Sequence, residues 1–123
     1  GRDMMRTFVV ELGTGVDLHG QDPTKAAVRA VRNAFQHVSL PGLRQVAGIE
    51  DMSTVQVDVF LGVPPDTGDV DVAQIKAQFP IGTINVTVQP GGLLPVGEAF
   101  RPEFGDKIDA ILMVNAAIIV RVP

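Results

Sequence analysis

Gly13-Thr14-Gly15-Val16-Asp17-Leu18-His19-Gly20-Gln21-Asp22-Pro23 separates the apolar run Phe8-Val9-Val10 from a basic amphipathic segment, and so marks a strand handing over to a helix. Asp22 is a residue type that caps helices, and Pro23 is pre-set for the first helical position. Glycine permits positive φ or close backbone approach, and a helix N-terminus offers unpaired N–H donors. A bend that adds two carboxylates and an imidazole to these features is the chain's foremost candidate binding site.

Outward from this bend, residues 6–12 read as a first strand lying inside the sheet. The helix is predicted from Pro23 to about Val38. Ala27, Val28, Ala30, Val31, Ala34, Phe35 and Val38 form its apolar arc, with Lys25, Arg29, Arg32 and Gln36 opposite. Pro41-Gly42 stops it, and residues 44–51 read as a loop. Val55, Val57, Val59 and Leu61 alternate with Gln56 and Asp58 in a strand over 54–62, with Phe60 on its polar side. A shorter helix over 70–78 follows, capped by Asp69 or Asp71 and burying Val72, Ile75 and Phe79. Ile84, Val86 and Val88 alternate with Thr83, Asn85, Thr87 and Gln89 in a third, one-sided strand, and residues 108–122 are apolar enough for a long central strand with a bulge at Asn115.

The order strand, helix, strand, helix, strand, strand predicts an α+β fold: a two-layer α/β sandwich in which a mixed four-stranded sheet carries two helices on one face. Its other face would present Gln56, Asp58, Phe60, Thr83, Asn85, Thr87 and Gln89, polar enough for water yet suited to subunit packing or a cleft. A homo-oligomer is expected on that ground.

At 123 residues, 46% of them hydrophobic, the chain reads as a single domain over 1–123 with one aliphatic core. The formal charge of −4, with a pI near 4.9, gives no general attraction to nucleic acid or anionic lipid. Cysteine is absent, which removes thiolate and disulfide chemistry and suits a cytoplasmic location. The apolar run over 110–120 is too short to span a bilayer as a helix, so no membrane partner is expected.

Several chemistries can be weighed at the bend. The third glycine of a dinucleotide fingerprint and the Lys-Ser/Thr of a P-loop are both missing. Asp17, His19 and Asp22 are suitable ligands for a divalent ion, but their spacing matches no strong metal motif, and neither a metal nor a cofactor is specified. In the functional reading, His19 exchanges a proton near neutral pH, Asp17 orients its ring, and N–H groups near Gly13, Gly15 and Gly20 stabilise a developing anion. In the structural reading, Asp17 forms an Asx-turn, Asp22 caps the helix and His19 bonds to backbone. Lys25 could draw an anion towards the bend, although such basic stripes are more often solvated faces. Asp58, Gly91 and Gly92 are secondary ligand-binding candidates.

The octet Gly13-Thr14-Gly15-Val16-Asp17-Leu18-His19-Gly20 resembles the Gly-x-Gly-x-Asp-x-His-Gly signature of the Lin-type conserved hypothetical proteins of bacteria, a family also found as a domain in plants. Asp22-Pro23-Thr24-Lys25-Ala26-Ala27-Val28-Arg29 and Ser39-Leu40-Pro41-Gly42 are also similar to it, and the resemblance covers essentially the whole chain. That family has no assigned activity, so the resemblance implies membership and a motif but no reaction. More distantly, His19-Gly20-Gln21, Val55-Gln56-Val57 and Gly91-Gly92 resemble one of the three domains of the ring-opening amidohydrolases, cyanuric acid hydrolase and barbiturase. This implies that a single-domain chain forms a trimer or a multiple of one. The lysine and serine of those enzymes' dyad align with Asp58 and Pro90, which cannot perform its chemistry, so a hydrolase here would rest on Asp17 and His19.

The functional expectation is thus a homo-oligomer that binds a small polar molecule at the bend from Gly13 to Asp22, with catalysis left open. The competing expectation is a non-catalytic structural or regulatory assembly in which that bend builds the subunit interface.

Overall fold

A computed structural model describes residues 5–36, 42, 45, 47–96, 101–104 and 110–123. Strand β1 (Arg6–Asp17) leads through the bend to helix α1 (Pro23–Phe35), and a 3-10 turn at Met52–Thr54 precedes β2 (Gln56–Val63). Helix α2 (Val72–Lys76), β3 (Thr83–Pro90), a second 3-10 turn at Pro102–Phe104 and β4 (Leu112–Val122) complete the order. The sheet runs β1-β4-β2-β3, with β4 antiparallel to both β1 and β2, and β2 parallel to β3. Hence β1, β2 and β3 all point the same way, and their carboxyl ends share one edge of the sheet.

The α+β sandwich expected from the sequence is the one observed, with differences in detail. β1 lies at the sheet's edge rather than inside it, and it continues to Asp17, so Gly13, Thr14 and Gly15 are strand residues. Its exposed edge is closed by α1: the Thr14 N–H donates to Asn33 Oδ1 at 3.1 Å, and the Val16 carbonyl accepts from Arg29 Nη1 at 2.6 Å. Side chains that occupy outward-facing backbone groups blunt an edge strand against stray pairing. Asn115 sits in regular register between Thr14 and Gly62; the irregularity in pairing falls between Thr7 and Val9 of β1. α2 is shorter than expected and is capped by Asp71, which accepts from the N–H groups of Ala73 and Gln74. Val38, His37 and the Ser39-Leu40-Pro41 stretch lie outside the described residues.

Small residues bring α1 close to β1. A Cβ on Gly15 would strike the Ala26 carbonyl oxygen and the Ala30 nitrogen, and one on Gly13 would lie 2.6 Å from the Ala34 nitrogen. Helix and strand backbones therefore meet through Gly13, Gly15, Ala26, Ala30 and Ala34, the three alanines being fully buried. Leu61, Leu112, Val114 and Ile118 fill the same layer from the sheet, each contributing about 1.5–3 kcal/mol by its burial where the side chain is fully enclosed. α2 closes the far side with Ile75 and the neighbouring Phe79, whose ring meets Phe35 edge-on at 5.1 Å.

No described helix covers the opposite face. Its register is explicit: Thr7, Arg121, Gln56 and Thr83 form one row, Val10, Ile119, Asp58 and Asn85 the next, then Leu12, Ala117, Phe60 and Thr87. Val10 and Leu12 are 54% and 71% exposed on this face, beside half-buried Phe60, Ala117 and Ile119.

Candidate functional site

The bend between β1 and α1 is held by its two aspartates. Asp17 is 5% exposed; its Oδ2 accepts from the Asp22 N–H at 2.7 Å, and its Oδ1 lies 3.5 Å from Arg29 Nη1. Asp22 in turn accepts from the N–H groups of Thr24 and Lys25 at 2.9 and 3.3 Å, satisfying donors that the first helical turn leaves orphaned. Between them, Gly20 and Gln21 have φ of +88° and +45°, a left-handed path that glycine adopts freely and other residues only at a cost. Gln21 is 3% exposed and anchors the path by donating from Nε2 to the Ala110 carbonyl at 3.0 Å.

His19 is half-buried, with its ring 5.3 Å from that of Phe104 and tilted by 49°. The Asp17 carboxylate is directed at Asp22 and Arg29. Arg29 thereby leaves the expected solvated stripe to pair with Asp17, and Arg32 donates to Gln78 Oε1 at 2.9 Å. Lys25 sits exposed in the first turn of α1. Gly13 and Gly15 face the backbone of α1, so their missing side chains serve helix packing.

Gly91 and Gly92 follow β3 at the same sheet edge as the bend. The Gly91 N–H donates to the Val63 carbonyl at 3.1 Å, and the Gly92 N–H to Asn115 Oδ1 at 3.0 Å. A Cβ on Gly91 would come within 2.8 Å of Gly62 Cα, and one on Gly62 would strike Asn115 Oδ1. Gly62 and Gly91 floor a hollow of about 160 Å³ in the uncovered sheet face, walled by Leu12, Phe60, Gln89, Pro90, Asn115 and Ala117.

Asp58 stands apart from all of these. It pairs with Ile119, seven residues along β4 from Leu112, the partner of Asp17, which is about 23 Å at the usual strand rise. It is 4% exposed although it belongs to the uncovered face. Arg121 Nε donates to its Oδ2 at 3.0 Å, while Gln56 Nε2 and Asn85 Nδ2 each donate to Oδ1 at 3.1 Å. Arg121 also reaches Thr7 Oγ1 at 3.3 Å, so this polar row draws on all four strands.

The structure therefore sorts the sequence candidates into three places: Asp17, His19, Gly20, Asp22 and Lys25 at the bend, Gly91 at the hollow with Gly92 next to it in the chain, and Asp58 in the polar row. Arg121 and Phe104 escaped the sequence reading, which took Asn115 for a bulge and Asn85 only for one of the polar residues on the uncovered face. Alternation alone puts Arg121 and Asn85 on the face of Asp58, but their approach depends on strand order and register, which pattern does not supply. Among the described residues, no three His, Asp or Glu side chains gather as a metal site, and no helix is long and apolar enough to cross a membrane.

The profile of a family described as conserved hypothetical protein (Lin0512_fam) matches residues 7–120. Among solved structures, the crystal structure of an FtsZ-like protein of unknown function from Nostoc punctiforme is similar, with a TM-score of 0.82 at 39% sequence identity and 96% of each chain covered. No curated protein matches the chain.

Proposed function

Because the chain belongs to the Lin0512 family of conserved hypothetical proteins, whose description carries no reaction, we propose from geometry that it is a non-catalytic assembly protein, joining copies of itself through the uncovered sheet face. The carrying observation is the character of that face. Val10, Leu12, Phe60, Ala117 and Ile119 make a continuous apolar strip, and Leu93, 62% exposed and bridged to Met113, extends it beyond the end of β2.

Among the described residues, the charged side chains that the register assigns to this face are Asp58 and Arg121, which are spent on each other. Depletion of charge around an apolar centre is the compositional mark of an interface core. A face with one internal ion pair also lets copies of a chain with formal charge −4 meet without bringing like charges together. A trimer or a multiple of one is the assembly that the distant amidohydrolase resemblance implies.

The bend supports the same reading. Asp17, needed to orient His19 in an acid/base pair, is buried and bonded to Asp22 and Arg29, so its carboxylate serves the start of α1. The bend is thus a joint of the fold, and the interface is assigned to the sheet face in its place.

Light scattering after size exclusion tests the proposal. The native chain is expected to elute as an oligomer, and Leu12→Glu, which sets a charge at a 71% exposed position, as a folded monomer. A native monomer at micromolar concentration, or an oligomer indifferent to Leu12→Glu, overturns it.

A further inference from the structure

Strand β3 forms the second edge of the sheet, and its hydrogen bonds show which of its residues face outward. The Thr83 N–H donates to the Val55 carbonyl at 2.9 Å, and just past the strand the Gly91 N–H donates to the Val63 carbonyl at 3.1 Å. Backbone direction alternates along a strand, and the register with β2 is regular from Thr83 to Pro90. Thr83, Asn85, Thr87 and Gln89 therefore turn their N–H and C=O groups towards β2. Ile84, Val86 and Val88 turn theirs away, and among the described residues no backbone or side-chain group takes them. Pro90, the next outward residue, has no N–H, and Gly82 at the other end leaves the extended conformation with φ of +80°. At the β1 edge Asn33 and Arg29 occupy the outward groups, whereas β3 has neither a charged residue nor a bulge, the devices that ordinarily blunt an edge.

We infer that the free edge of β3 pairs with β3 of a second copy, antiparallel and about a two-fold axis at Val86, so that two sheets become one. A second copy is the occupant because the edge is complementary to itself. Val86 is the centre of the outward run, so a two-fold there sets Val86 against Val86 and Ile84 against Val88, each pair exchanging both N–H···O bonds. The same register opposes Asn85 to Thr87 and Thr83 to Gln89 on the uncovered face, and apolar residue to apolar residue on the helical side. There Val88, 45% exposed within its own chain, gains Ile84 of the second copy as cover. The axis stands perpendicular to the sheet, so both uncovered faces stay available for the contact proposed above. The inference rests on that contact in one respect: a single edge pair is short, and copies already joined through the face bring several edges to one encounter. Leu12→Glu is therefore expected to release the edges as well at micromolar concentration.

Full-length Val86→Pro and Val88→Lys test the pairing by light scattering after size exclusion. Proline at 86 removes an N–H that β2 does not use, a change that edge strands tolerate, and lysine at 88 replaces an exposed side chain. Both are expected to give folded particles of half the native mass. In the native assembly the amides of Ile84, Val86 and Val88 are expected to be protected from hydrogen exchange, and to lose that protection in either variant's remaining outward positions. If Leu12→Glu is monomeric but the native particle holds an odd number of copies, or neither β3 variant lowers its mass, the edge pairing is overturned and the contact through the face stands. If Leu12→Glu remains a dimer that adding Val88→Lys splits, the edge pairing stands and the contact through the face falls. A native monomer overturns both.

Discussion

Gly13 and Gly15 decide how near α1 can lie to β1, and the same two residues drew attention in the sequence as part of a binding loop. The two roles make opposite demands on substitution. A methyl group at Gly15 has nowhere to go, because the Ala26 carbonyl and Ala30 nitrogen occupy its place and both belong to a helix that would have to move as a body. Overpacking of this kind costs about 1–3 kcal/mol, and more where the neighbour is backbone. Gly15→Ala is accordingly expected to lower the midpoint of urea unfolding by that amount with no change in slope. Unchanged stability would mean that the glycine is kept for something other than packing. By contrast, Gly20, with φ of +88°, is a glycine of conformation, and the bend could not turn back towards Asp22 without it.

At the scale of elements, the row that joins β1, β4, β2 and β3 holds a carboxylate where an uncovered face would ordinarily meet water. Asp58 has three donors, from Arg121, Gln56 and Asn85, so the pair with Arg121 is enclosed and satisfied. Removing one partner of such a pair strands the other charge at a cost of about 3–5 kcal/mol, whereas removing both costs far less. Asp58→Ala alone is expected to approach the lower end of that range, since the Arg121 side chain keeps 28% exposure to water. Asp58→Ala with Arg121→Leu should then be more stable than the sum of the single changes, as a double-mutant cycle by urea unfolding would report. Additive losses would show that the row contributes through packing alone. This row also marks how far pattern reading reaches. The alternation in β2 and β3, the cap at Asp22 and the proline after it were legible because each rests on neighbours in sequence. The edge position of β1, the pairing of Asp58 with Arg121 and the capture of Asp17 by Arg29 rest on which strands become neighbours, and a short chain with one buried layer leaves several such orders open. His19 with Asp17 was an inference from residue type; that the Asp17 carboxylate also accepts from the Asp22 N–H and lies beside Arg29 depends on how the bend folds back on α1.

At the scale of the molecule, charge and apolar surface are separated, and this governs how copies should meet. The formal charge of −4 repels one copy from another over a distance set by salt, about 10 Å at 0.1 M and about 3 Å at 1 M. On the uncovered face the charges that the register supplies, Asp58 and Arg121, are engaged within the chain at 3.0 Å, so assembly through that face forms no ion pairs between copies for salt to screen. Burial of Val10, Leu12 and their neighbours is instead a hydrophobic contribution, which salt leaves intact or strengthens. Raising sodium chloride from about 0.05 to about 1 M is therefore expected to hold or increase the weight-average mass measured by sedimentation equilibrium, since screening removes repulsion and weakens nothing at the contact. Dissociation over the same range would mean that the copies are held by ion pairs across exposed charges such as Lys25 and the acidic residues of the helical layer, and that the uncovered sheet face is not where they join.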